Sequence, residues 1–600
     1  MPLHRLASRA ILSCVSVVLA GSFGLTAAAA KVNESLSVAT PFEVGESPAG
    51  NYLAAVIAGA DRDTVAAATF FREALRFDPR NKELIERTFV AALSNGAMPE
   101  AFNLADRLLT YEPDNGLAHL AIGVRALKAH EYATARGQFA RGGGAEGGDL
   151  TATLLTAWAY QGSGQTRRAL ETVDRLDDEN FAVFRNYHKA LIADVAGRRE
   201  QAAEAFQAAY ESDKNTLRLV DAYARFLSET GKNDQAIALY AAFNQVVPDH
   251  PTVRAALADL KAGKTLRPLV GDVDQGTAEV LYGLGAAGDR QGDDLAGMIY
   301  LRLSLYLDPD NALALLTLGD LYQRINQNEQ ALDIFQDVPQ SDPQRVTADI
   351  EISQALENLG RSDQALSYLR NVVDDHPYDE EALSALGNLQ RAHDHYDEAI
   401  VTYTRAIAAS KKPEAANWPL YYFRGIAYER SKQWPKAEAD FKHALQLFPD
   451  QPLVLNYLGY SWVDKGMNLD QAFPMLRRAV ELRPTDGYVV DSLGWAEYKL
   501  GHYKDAVTDL EKAVDLKPAD PVINDHLGDA YWRIGRKLEA HFQWNHARDM
   551  GADPADLPRI LQKIKSGLET PPASPGADSK SGTDDKPAAA DAEHKQNGGG

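Results

Sequence analysis

Residues 455–473 (LNYLGYSWVDKGMNLDQAF), 489–501 (VVDSLGWAEYKLG) and 523–535 (INDHLGDAYWRIG) carry one pattern three times. A leucine and a glycine recur together as Leu458 and Gly459, Leu493 and Gly494, Leu527 and Gly528, with the glycines 35 and 34 residues apart. Self-similarity at a fixed period of a few tens of residues marks a stack of supersecondary units, each too small to bury its own apolar face. Working back from this stretch, one series of repeats starts at Ala278, Ala312, Val346, Glu380, Trp418, Pro452, Gly487 and Pro521, and an earlier one at Pro48, Lys82, Gly116, Leu150, Val183 and Leu217. These six and eight repeats make fourteen, over about 510 of the 600 residues.

Physical constraints explain the recurring residues. Small side chains stand at the eighth place (Gly123, Gly285, Gly319, Gly387, Gly425, Gly459, Gly494, Gly528) and alanine at the twentieth (among them Ala135, Ala236, Ala365, Ala437, Ala506 and Ala540). The expectation is that these two places face each other where the two helices of a hairpin come closest. Large residues at the twenty-fourth place (Phe139, Tyr240, Phe335, Tyr403, Phe441, Trp544) are expected to seal one hairpin to the next. Prolines such as Pro79, Pro113, Pro377, Pro484 and Pro518 close each second helix, because proline has no amide to continue it. The pattern resembles the tetratricopeptide-repeat (TPR) family, and the resemblance implies an all-α superhelical solenoid in two halves.

The phase breaks once. From the start expected at Pro251 to that at Ala278 is 27 residues, and 261–277 (KAGKTLRPLVGDVDQGT) carries Gly263, Pro268, Gly271 and Gly276. Residues 251–277 therefore read as an irregular joint, either a hinge or a decayed repeat. The organisation expected is a signal over 1–30, a linker over 31–47, a first half over 48–250, the joint, a second half over 278–554, a capping helix over 555–568 and a disordered tail over 569–600. The tail has almost no large apolar side chain with which to offset the entropy of ordering.

The ends and the charge bound location and partners. Arg5 and Arg9 precede an uncharged run from Ala10 to Ala30, with Ala28 and Ala30 at the small-residue places an export peptidase requires. The mature chain is expected to begin near Lys31 and to be periplasmic, or membrane-tethered if the signal stays uncleaved. Cys14 sits early in that run, with most of the apolar residues after it, which argues against lipidation; no cysteine remains after cleavage. No later stretch is long and apolar enough to span a bilayer. A net charge of -22, from 84 acidic and 62 basic residues, disfavours nucleic acid as a partner.

Three stretches imitate chemical motifs. GLGAAG at 283–288 has dinucleotide-binding spacing but lies between helical patterns, and Gly285 already fills the eighth place. GGGAEGG at 142–148 lacks the Lys and Ser or Thr of a phosphate loop. His393, Asp394, His395 and Asp397 could ligate a metal, yet they fall at an intra-repeat turn where polar residues are expected. The reading is a protein without an active site, metal or cofactor.

Six of the seven tryptophans lie in the last four repeats. In the TPR family, places two, five, nine, twelve and thirteen of the first helix line the concave face. That resemblance puts Tyr422, Arg430, Asn456, Tyr460, Asp491, Trp495, Tyr498, Asp525, Asp529, Trp532 and Arg533 on a partner-binding groove, with inter-repeat packing as the alternative for the tryptophans. The family's clamp for carboxylates is not assembled by Asn456 and Lys499. The C-terminal repeats quoted at the outset also resemble Gram-negative cell-envelope TPR adaptors that bring cell-wall hydrolases to a carboxy-terminal processing protease. This resemblance implies a scaffold whose partners are an envelope protease or a peptidoglycan enzyme; the alternative is a structural subunit of an envelope export or polysaccharide-secretion machine.

Overall fold

The computed structural model describes residues 45, 47–142, 149–291, 293–411 and 414–569. The expected signal, most of the expected tail and most of the GGGAEGG stretch lie outside them. Thirty α-helices and two short 3-10 segments make up the secondary structure among the described residues. Twenty-eight of the helices pair into fourteen antiparallel hairpins, from Pro48–Ala60 with Thr64–Phe77 to Pro521–Arg533 with Lys537–Asp549. The last hairpin is followed by the helix Leu557–Ser566. The fold is a TPR superhelical solenoid.

Local chemistry sets each hairpin. First helices begin under side-chain caps: Asn81, Asn115, Asp149, Asn311 and Asp520 each accept an amide from the first turn. First helices end at a residue with positive φ, which the sequence reading missed. This fifteenth place is Gly in several repeats, including Gly501 and Gly535, but Asn326, Asp394 and Lys432 adopt the same left-handed backbone with φ near 60°.

The contact at the eighth place also differs from the expectation. In most repeats the side chain nearest the glycine is the twenty-fourth residue of its own hairpin; at Gly459 it is Leu476, with the Ala472 carbonyl 3.1 Å from a Cβ built there. A Cβ on Gly425 would lie 2.6 Å from the Phe441 ring, on Gly528 2.5 Å from Trp544, and on Gly494 2.7 Å from Leu510. Glycine therefore makes room for a large side chain that fills the inside of each hairpin. The alanines at the twentieth place are buried against the first helix.

The segment 251–277 is more helical than the irregular joint expected there. Pro251–Lys261 is a helix, 262–272 is irregular, and the next helix, Val273–Gln291, begins before Ala278. Gly276 does not interrupt that helix; a Cβ there would overlap the buried Trp158 ring, so glycine permits a close crossing. Helix Val273–Gln291 packs on Leu150–Gly162 and Ala182–Val195, and Asp294–Leu307 packs on Lys82–Ser94 and Gly116–Lys128. All four of these partners are first helices of repeats two to five, so the first hairpin of the second half lies across the inner face of the first half. Ala278, Val280, Leu281, Ile299, Leu303 and Leu307 belong to the first half's apolar core, whereas Met298 and Leu301 belong to the core that continues to Ala427.

Candidate interaction surface

The eleven candidate residues sit on the first helices Trp418–Arg430, Pro452–Asp464, Gly487–Lys499 and Pro521–Arg533. Those at the fifth place are buried between successive first helices. Tyr422 meets Tyr457 edge-on at 6.0 Å between centroids, and Asp491 lies 3.0 Å from His526 Nδ1. Asp525 accepts from Lys563 Nζ at 2.8 Å, so it holds the closing helix. Asn456 is fully buried, and neither its Nδ2 nor its Oδ1 finds a hydrogen-bond partner among the described residues.

The ninth place is buried as well. Tyr460 lies in the core, and Trp495 is stacked between His526 at 3.9 Å and Tyr498 at 4.6 Å, with no acceptor for its Nε1 among the described residues. Asp529 accepts from Trp544 Nε1 at 2.9 Å and from Lys563 at 2.7 Å. Burial pushes the Asp529 carboxyl above its usual range; Lys563 opposes this and the neighbouring Asp525 adds to it.

Four candidates are only partly buried: Arg430, Tyr498, Trp532 and Arg533. Arg533 Nε donates to Tyr498 Oη at 3.3 Å and its Nη1 to the Glu569 carbonyl at 2.9 Å, while Trp532 Nε1 donates to the Leu568 carbonyl at 3.2 Å. Burial pushes the Tyr498 phenol up to about 12, so it stays a neutral hydroxyl across the physiological range. The inner face of the last two repeats thus grips main-chain carbonyls of the chain's own extended segment after the closing helix. The bond to Glu569 comes from the Arg533 end of a ladder that runs from His526 through Trp495 and Tyr498, and the bond to Leu568 comes from Trp532.

The candidate metal ligands around 393–397 do not converge. His393 pairs with Glu357 at 2.9 Å, Tyr396 with Asp394, His395 with Glu398 at 3.7 Å and Ser431 with Asp397 at 2.9 Å. Glu497, His502 and Asp505 bring ligand-type atoms within 4.8 Å of one another at another such turn. There Glu497 already meets His502 at 2.6 Å and Arg477 at 3.5 Å, so the trio reads as an ion-pair knot. GLGAAG is helical throughout, with Gly285 against Leu301.

Residues the sequence reading did not single out surround the hairpin in the first half. Glu279 is buried and accepts from Arg218 Nε at 3.0 Å and Tyr187 Oη at 2.9 Å. Asp294 pairs with Arg62 and, at 3.2 Å, with Arg324; Asp274 lies 3.6 Å from Lys128. Tyr187 stands at the fifth place and Arg218 at the second of their first helices, so place number alone could have flagged them.

Family models for the TPR repeat match residues 494–535, and models for the tetratricopeptide repeat match 418–451, 316–380 and 350–416. These stretches are TPR repeats. TPR repeat-containing protein PA4667 of Pseudomonas aeruginosa is 27% identical over 198 residues, 32% of this chain and 31% of that protein. Anaphase-promoting complex subunit 3 of Schizosaccharomyces pombe is 28% identical over 210 residues, 34% of this chain and 30% of that protein. The chain therefore spans under a third of the length of these two relatives. Among solved structures, the APC/C hetero-tetramer Cut9-Hcn1 is similar over 87% of this chain and 97% of that one, at 14% identity and a TM-score of 0.38. Yeast Tom70 is similar over 87% of this chain and 95% of that one, at 13% identity and a TM-score of 0.32.

Proposed function

We propose that this chain is a non-enzymatic scaffold of the cell envelope, exported to the periplasm, that holds cell-wall hydrolases or other clients for a periplasmic protease. TPR-repeat proteins act in general as protein-binding scaffolds, and no helix among the described residues is long and apolar enough to cross a membrane. The partner surface is the inner face of the last four repeats, where Arg430, Tyr498, Trp532 and Arg533 reach solvent over a buried aromatic base.

One observation carries this reading: Trp495, Tyr498 and Arg533 form a continuous polar–aromatic ladder whose Arg533 end already donates a hydrogen bond to a main-chain carbonyl, that of Glu569. Rigid aromatics beside arginine are the residue types that dominate binding energy at interfaces. Tagged protein recovered from the envelope fraction should bring down a soluble protease and peptidoglycan hydrolases. Recovery of membrane export subunits in their place would favour the structural reading, and a chain with Met1 intact in the cytosol would overturn the location.

A further inference from the structure

The first half's inner face is the surface on which a helical-hairpin solenoid offers its concave groove to ligands. Here the groove is filled, and the filling has the chemistry of a ligand. Helices Val273–Gln291 and Asp294–Leu307 lay apolar residues, among them Leu281 and Leu303, into the core of repeats two to five. Three hairpin carboxylates meet three separate cations of the first half: Asp274 with Lys128, Glu279 with Arg218, and Asp294 with Arg62. The Lys128 ammonium also caps the hairpin's end by donating to the Leu307 carbonyl at 2.7 Å. Trp158 and Gly276 fix the depth of entry.

The covalent link is not all that holds this arrangement. Between Lys261 and Val273 the chain is irregular, and Gly263, Lys264 and Thr265 are exposed. Within this segment, Leu266 and Val270 are buried in the first half's core and the Leu266 amide donates to Ser228 Oγ at 3.0 Å; the remaining buried contacts are those between the hairpin and the groove.

We propose that the inner face of the first half is a binding groove for an acidic amphipathic helical hairpin, filled in cis by residues 273–307. A partner presenting that chemistry reaches this half only by displacing the resident hairpin. This surface is distinct from that of the last four repeats, and the proposal does not rest on a client being held there.

The test uses the full chain with a specific protease site inserted between Lys264 and Thr265. After cleavage, the two halves should co-elute on size exclusion. A fluorescent synthetic peptide of residues 270–310, added in excess, should enter the complex and release the second half. The same peptide carrying Glu279→Gln should compete at least about tenfold more weakly, because it leaves the half-buried Arg218 guanidinium without its carboxylate. Placing the change in the peptide leaves the folding of the protein untouched. Halves that separate on cleavage would overturn the proposal. So would a nicked complex that excludes the peptide at a hundredfold excess, since the hairpin would then be permanent core, and so would equal competition by the Glu279→Gln peptide.

Discussion

Replacing Lys563 with Met should unseat the closing helix and do so in a pH-dependent way. Lys563 is 5% exposed and sits between Asp525 and Asp529, with Nζ–O distances of 2.8 and 2.7 Å. Removing one partner of a buried ionic cluster costs about 3–5 kcal/mol, because the remaining charge stays desolvated. Arg559, 3.3 Å from Asp525 but 41% exposed, compensates in part, which puts the expected loss near the lower end, about 3 kcal/mol. Asp529 already has a raised pKa, and losing the cation raises it further. A carboxyl whose folded pKa lies above its unfolded value binds protons preferentially in the folded state, so stability is gained as pH falls through the folded value and lost as pH rises. Urea unfolding followed by circular dichroism, with hydrogen exchange over 521–566, should show a large loss at pH 7.5 that shrinks toward pH 5. The triple variant Asp525→Asn, Asp529→Asn, Lys563→Met should recover most of the loss. Stability of Lys563→Met within about 0.5 kcal/mol of the parent at pH 7.5, the scatter of an ordinary surface change, would refute the reasoning. An equal loss at both pH values would do the same.

Two further outcomes are expected. Lys432→Gly should stabilise its hairpin by about 1 kcal/mol, because lysine holds φ 61° at a place where glycine has no steric cost; unchanged exchange protection over 418–447 would count against this. Gly276→Ala should force the Trp158 ring aside and loosen the hairpin from the first half, costing about 1–3 kcal/mol by overpacking, and an undisturbed melting curve would contradict the close crossing.

The repeat register was legible because a hairpin solenoid is built from near neighbours. Gly494 and Leu510 lie sixteen residues apart in one hairpin and recur in step with their counterparts in the next. Finer geometry was not readable from spacing. Place five looks like groove on a single helix, but the next first helix or, for Asp525, the closing helix covers it, and only the stack shows that Tyr422, Asp491 and Asp525 turn toward Tyr457, His526 and Lys563. Place fifteen was hidden because Lys432 and Asp394 stand where the backbone favours glycine. The return of residues 273–307 onto repeats two to five rests on contacts far apart in sequence, such as Tyr187 with Glu279, and no local pattern encodes it. Gly276 was visible, and its reading as a helix breaker reversed once Trp158 was seen against it.

The central claim is that the last four repeats hold a partner through the side chains that reach solvent. Its most direct test is affinity and thermal melting measured on one variant, Arg430→Ala, Tyr498→Ala, Arg533→Ala, against the protein recovered from the envelope. Anchors of this kind contribute about 2 kcal/mol or more each to binding, so capture should fall by well over thirtyfold while the melting temperature of the C-terminal half stays close to the parent's. Capture that survives in a chain whose C-terminal half melts earlier would show that these residues serve packing alone and that the partner binds elsewhere.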